Sequence, residues 1–405
     1  MPPTFHQQTL ANGLTIVAET DAEAHTAAVG FFVRAGARDE DRPLMGVSHF
    51  LEHMMFKGTA RRTADDVNRE FDELGANYNA YTSHETTVYY AHVLPEFLPR
   101  SVDLLGDMLR PALRDEDFNV EKNVILEEIG MYDDRPQSRL MDMLLEAHFG
   151  EHPLGFRVLG TTDSIKALGV EQMRGYFRQR YSPDNIVVSA AGRVDFAALV
   201  SDVTAIAGHW QPSGVTRQHG QPAIAGAQLA HRDERLNRHY LAMFFPGPAA
   251  QDERRYAARV MADALGDSEG SRLYWALVDP GLADEADFSH YPQDHVGGFI
   301  GYVSCDPQRA GQVEGIYLDA LAKFARSVEP GEIERAKNKL ATHATLQGER
   351  PAGRMRSIGN QWTYLRQYLT LDQELAGLIA VSVDDVRQLA GELVSSPRTL
   401  VRLGP

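Results

Sequence analysis

Two histidines and a glutamate are the first candidates for chemistry. In the run His49-Phe50-Leu51-Glu52-His53 the two imidazoles are four residues apart. On a helix that spacing projects both side chains from one face, one turn apart. Two imidazoles so placed can reach one divalent cation at about 2.0–2.1 Å. Glu52 lies beside His53 and three residues after His49, so it can point at the same place without binding the cation. A carboxylate there can take a proton from a water that the cation has made acidic, which is hydrolytic chemistry.

Such a site needs a third ligand and an open position. The best source is the acidic stretch Glu121-Lys122-Asn123-Val124-Ile125-Leu126-Glu127-Glu128-Ile129. Glu121 and Glu128 are seven apart and share a helical face with Phe118, Ile125 and Tyr132. Carboxylates on an apolar face are costly unless paired or bound to metal. Glu127 falls on another stripe with Val120, Val124 and Met131, and periodicity by itself leaves both acids open as the ligand.

These residues must be positioned by a framework, and strand and helix signals alternate along the first half. Strands are expected over residues 14–18 and 26–35. A helix opens after Pro43, carries the histidines on the flank of an apolar stripe (Val47, Phe50, Leu51, Met54) and stops near Lys57-Gly58. Thr63 caps a helix over 64–74, strands follow over 77–82 and 86–94, and helices over 97–109 and 115–132. From about 208 to 234 the pattern dissolves into Gly, Pro and Gln, which reads as a linker. Beyond it a strand over 238–245 and a helix over 252–265 repeat the earlier order. The expected division is 1–212 as a zinc-binding catalytic half, 213–234 as a linker, and 235–405 as a second, pseudo-repeat half without metal. The expected class is α+β: two related α/β halves, each a mostly antiparallel sheet with helices packed on it.

Composition narrows the function. The chain has 405 residues, a net charge of −16 and one cysteine, Cys305. Structural disulfides within the chain and a cysteine-rich zinc knuckle are excluded, so a metal must be held by His and carboxylates. The acidic balance argues against nucleic acid as a partner. No apolar run is long enough for a membrane helix, and the first residues lack a signal-peptide pattern, so a cytoplasmic location is expected.

The motif helix and its surroundings resemble the inverted-motif zinc peptidases, the pitrilysin and mitochondrial-processing-peptidase family. The likeness rests on Gly46 to Thr59 around the histidines and on Gly75-Ala76-Asn77-Tyr78-Asn79-Ala80-Tyr81-Thr82. It extends through Pro153-Leu154-Gly155, Leu159-Gly160-Thr161, Tyr181-Ser182-Pro183-Asp184-Asn185, Ser271-Arg272-Leu273-Tyr274 and Gly281-Leu282-Ala283. The resemblance implies one zinc ion per chain held by His49, His53 and Glu128, with Glu52 as the base. It selects Glu128 over Glu127 through a Glu-x-x-Val-Ile-x-x-Glu frame, and it gives Glu121 a supporting role beside the ligands. It also implies that a peptide substrate pairs as an added strand at Asn79 and Ala80, and that the chain works as a homodimer or with a related subunit.

One departure stands out. Active relatives carry an Arg and a Tyr flanking the Gly-Leu-Ala landmark; here Leu277 or Val278, and then Asp284, occupy those places. The leading expectation is therefore a zinc metalloendopeptidase. The alternative is a peptide-binding or structural subunit, active only with a partner that supplies the missing pair. His84, His92 and His239 read as core or surface histidines, Trp210, Trp275 and Trp362 as packing residues, and Glu85 and Asp66 as a turn acid and an early-helix acid.

Overall fold

The computed structural model describes residues 3–218, 220–223 and 226–405. Six strands form the first sheet: Thr4–Thr9 (β1), Thr15–Thr20 (β2), Ala27–Val33 (β3), Asn77–Thr82 (β4), Thr87–Val93 (β5) and Ile186–Gly192 (β6). Five form the second: Ala227–Arg232 (β7), His239–Pro246 (β8), Ala283–Gln293 (β9), Val296–Cys305 (β10) and Thr399–Gly404 (β11). Their orders are β1-β2-β6-β3-β5-β4 and β7-β11-β8-β10-β9. Each sheet is antiparallel except for one pair, β2 with β6 and β7 with β11. Set β1 aside and the wiring is the same, so the fold is α+β with two related halves.

β3 (Ala-Ala-Val-Gly-Phe-Phe-Val) is buried throughout because both faces of its sheet are covered. Val29, Phe31 and Val33 point into a core with Phe50, Leu51 and Met54 of helix α1 (Val47–Met54). The same core takes residues from α2 (Ala64–Glu73), α3 (Leu98–Met108) and α4 (Asp115–Asp133). Ala28 and Phe32 point the other way, onto Met355, Ile358 and Trp362 of the helix Pro351–Leu365. That helix lies so close that a Cβ on Gly359 would stand 2.2 Å from the Phe32 ring. In the second sheet Phe244 meets Leu140, Leu144 and Phe149 of α5 (Pro136–Phe149). The opposite face buries the helix Arg255–Gly266.

The two compact units interleave along the chain. One comprises Met1–Gly130, Phe156–Gln218 and Leu346–Leu369; the other Met131–Gly155, His219–Thr345 and Thr370–Pro405. Neither is a continuous stretch of the kind that boundaries at 212 and 234 draw. Two further differences from the sequence reading concern strands. β1 precedes the strand expected to come first, and β7 falls within the segment 213–234 assigned as linker. His219, Ile224 and Ala225 of that segment lie outside the described residues.

Candidate metal centre

Helix α1 is fixed at its start by a buried acid. Glu40 accepts the backbone N–H of Gly46 and of Ser48, each at 2.7 Å, which satisfies donors that a helix N-terminus leaves open. Burial pushes the Glu40 carboxyl up to about 8, against the pull of those two donors. Gly46 sits at φ +92, where a Cβ would also press on the Leu159 carbonyl at 2.7 Å. The Ser48 hydroxyl shares a 2.6 Å hydrogen bond with Tyr176.

From this anchored helix His49 and His53 project together, ring centroids 4.7 Å apart. Glu128 comes to meet them from α4. Its Oε2 lies 3.7 Å from His49 Nε2 and 3.6 Å from His53 Nε2. Those separations exceed a hydrogen bond. They approximate the edge of a tetrahedron whose corners are 2.0–2.1 Å from a central cation, about 3.3–3.4 Å. Glu128 Oε2 is buried without a hydrogen-bond partner, a condition that calls for a ligand or ion. Among the described residues, His49, His53 and Glu128 form the one such group whose donor atoms converge, all within 4.8 Å. The donor set fits zinc: two imidazoles and a carboxylate, three protein ligands of a four-coordinate ion. Glu127 is exposed on the far side of α4 with Val120, Val124 and Met131.

Glu121 is buried beside this group. Its Oε1 is 2.8 Å from His53 Nδ1, and its Oε2 is 2.5 Å from Lys57 Nζ. A carboxylate only accepts, so His53 Nδ1 carries the proton and Nε2 presents its lone pair toward Glu128. Burial works against the Glu121 charge, but the bonds from His53 and Lys57 outweigh it and hold its pKa down. Burial also opposes charge on His53, yet Glu121, Glu128 and Glu52 raise its pKa. Burial, and then the neighbouring His53, lower His49 to about 3, so it stands as a neutral imidazole.

Glu52 is half-buried on the same helix. Its Oε2 accepts the Thr82 hydroxyl at 2.6 Å. Burial raises its pKa, with the Thr82 bond pulling back. Asn79 and Ala80 lie on β4, an edge of the first sheet, and the Ala80 N–H donates to the Asn79 side-chain oxygen at 2.8 Å. Thr82, Lys57 and Glu40 were not singled out by sequence as neighbours of the centre. Only Lys57 had a usable signal: it stands four residues after His53, on the continuation of the motif helix.

The second unit looks different at its landmark. Leu277 is buried in the second core, and Asp284 is held by Arg238. Arg272 is taken by Glu332 at 2.5 Å. Trp275 was expected to pack but is 59% exposed. It sits on the π-helical turn Tyr274–Val278, opposite the buried Leu273 and Leu277. Trp210 and Trp362 are buried. His92 is bonded to Thr26 at 2.7 Å, and burial lowers His84 to about 4. Glu85 is a buried turn acid paired with Arg38, and Asp66 completes the cap of α2 with Thr63. No described helix is long and apolar enough to cross a membrane.

Fold and centre define a class: two similarly wired sheets, one of which carries a His-His-Glu group suited to a divalent cation. Comparison with known proteins narrows it. Residues 15–162 match the family described as Insulinase (Peptidase family M16), and residues 167–340 match its companion, the Peptidase M16 inactive domain. An uncharacterized zinc protease of Streptomyces coelicolor is 34% identical, covering 99% of this chain and 90% of its own. The uncharacterized zinc protease YmxG of Bacillus subtilis is 32% identical, covering 98% and 97%. The chain belongs to the M16 peptidase family. The fold is shared with a Helicobacter pylori protease, at a TM-score of 0.92 and 20% identity over the whole of both chains. It is also shared with a Pseudomonas fluorescens structure titled peptidase M16 inactive domain, at 0.91 and 18%, covering 99% of this chain and 98% of that one.

Proposed function

We propose that this chain is a zinc-dependent endopeptidase acting on extended or unfolded peptides, with one zinc ion held by His49, His53 and Glu128. The observation that carries the reading is the convergence of those three donor atoms beside a carboxylate, Glu52, that does not join them. A bound zinc ion would supply Lewis acidity, making a water acidic and polarising the scissile carbonyl. Glu52 then accepts the proton of the attacking water and passes it to the leaving amine. Glu121 holds the His53 tautomer. The open edge of β4 at Asn79 and Ala80 receives the peptide backbone as an added strand, which suits substrates without fixed structure.

In this proposal the first unit is the catalytic half and the second a metal-free pseudo-repeat. The chain acts in the cytoplasm, as a homodimer or with a related subunit. One observation favours a second reading: Leu277 is buried and Asp284 is paired to Arg238, so neither of these two landmark residues is placed to grip a substrate. A partner-dependent subunit would have that property.

The test is to incubate the purified, zinc-loaded chain with a mixed peptide library, with and without a chelator, and read fragments by mass spectrometry. Chelator-sensitive cleavage is the expected result. Bound zinc with no cleavage would move the assignment to the partner-dependent reading.

A further inference from the structure

A base that serves both the attacking water and the leaving group must be held in one orientation. Glu52 has two carboxylate oxygens, and one of them, Oε2, already accepts the Thr82 hydroxyl at 2.6 Å. That length belongs to a strong, charge-assisted O–H···O⁻ bond. We propose that Thr82 is a positioning residue for peptide hydrolysis: its hydroxyl locks Glu52 by Oε2, leaves Oε1 for the reacting water, and so ties the base to the edge strand that receives substrate. This inference rests on the peptidase reading given above.

The placement follows from strand geometry. Along β4, Tyr78 and Ala80 pack toward the core that contains α1, whereas Tyr81 packs on the opposite face. Thr82 continues the Tyr78–Ala80 row, so its side chain faces the helix that bears Glu52. Opposite it in register stands Thr87, fully buried. The Thr87 hydroxyl donates to the Ala35 carbonyl at 2.9 Å and stands 3.4 Å from Thr82 Oγ1. Thr87 thus has its own proton committed elsewhere, and the Thr82 proton goes to the nearer and stronger acceptor, Glu52. A β-branched residue has few χ1 rotamers, so the hydroxyl is presented at small entropic cost. Asn79 and Ala80, the proposed contacts for the substrate backbone, lie on the same short strand. One element would therefore both take up the peptide and aim the base.

Three measurements test this. Thr82→Val removes the hydroxyl while keeping shape and strand propensity. In the zinc-loaded enzyme it should lower kcat by about 10- to 100-fold, the scale of a misplaced reacting group. KM should stay within about twofold and zinc content should be unchanged. Thr82→Ser, which keeps the hydroxyl, should restore most of kcat. In chelator-treated protein, Thr82→Val should shift the melting temperature in the unsubstituted background and much less beside Glu52→Ala, because the pair is already broken there. Should Thr82→Val not fold, Thr82→Ala takes its place with the same readouts. A kcat within twofold for Thr82→Val, a Thr82→Ser variant as slow as Thr82→Val, or additive melting shifts would each overturn the inference while leaving the peptidase reading intact. An unsubstituted chain that cleaves nothing would sink that reading, and this inference with it.

Discussion

The two sheets carry the same wiring and yet present different chemistry. In each, the first helix after the central strand packs against one face of the sheet. In the first that helix is α1, which buries Val47, Phe50, Leu51 and Met54 and sends His49, Glu52 and His53 from its flank. In the second it is Arg255–Gly266, which buries Ala257, Ala258, Val260, Met261, Ala264 and Leu265, with no histidine along its length. The scaffold accepts either. What makes a metal centre is a few polar residues on one helix flank, together with an acid from a second helix that can reach them. The candidate centre also has neighbours the second helix lacks: Glu40 at the N-terminus, Glu121 behind one histidine and Thr82 against the carboxylate.

That contrast can be broken by making the first region resemble the second. The largest effect is expected from Glu128→Ala, which removes one of three donors. Zinc affinity, read by competition with a chromophoric chelator, should fall by more than about 100-fold, since even outer partners cost about 10–100-fold. Cleavage should vanish with it, and near-normal zinc binding would refute the ligand assignment. Next comes Glu52→Gln, for which the expected loss in kcat is about 10²- to 10⁴-fold with stoichiometric zinc retained; zinc loss in this variant would recast Glu52 as a ligand. Glu121→Gln should be milder, weakening zinc affinity or kcat by about 10–100-fold.

The smallest effect sharpens the contrast from the second region. His148 is buried between α5 and the second sheet, stacked on Phe244 and bonded to Thr399, and burial lowers its pKa to about 4. The unfolded chain binds that proton near pH 6.5, so between about pH 6.5 and 4 the unfolded state holds more protons. The stability His148 contributes is full above the unfolded value and is lost as pH falls through this window. His148→Gln should flatten the fall in melting temperature over that interval; an unchanged slope would show that other groups set it.

Much of this was legible in the sequence, and the misses share a cause. The β4 bounds, the Thr63 cap and the apolar stripe of α1 follow from local pattern, and the structure shows them. β1 and β7 did not follow, because each is an outer strand whose residues are mostly exposed. Such strands carry no apolar alternation and exist through pairing with β2 and β11, which local sequence does not record. The choice between Glu127 and Glu128 was open to periodicity and rested on family likeness; in the structure Glu128 faces the histidines and Glu127 faces solvent. Glu40 and Thr82 reach the motif helix from separate elements, a relation that spacing within one helix does not encode.

The helix Pro351–Leu365 has a consequence for how the chain is made. Val17, Ala28, Phe32, Val88 and Val187 on one face of the first sheet are covered by Met355, Ile358 and Trp362, residues translated after all of those strands. On the ribosome the histidines and acids emerge ahead of that helix, so the back of their sheet waits for a segment still unmade. A fragment cut off at the Gly- and Pro-rich segment would carry every candidate ligand and still expose a greasy surface, prone to self-association until that late helix arrives.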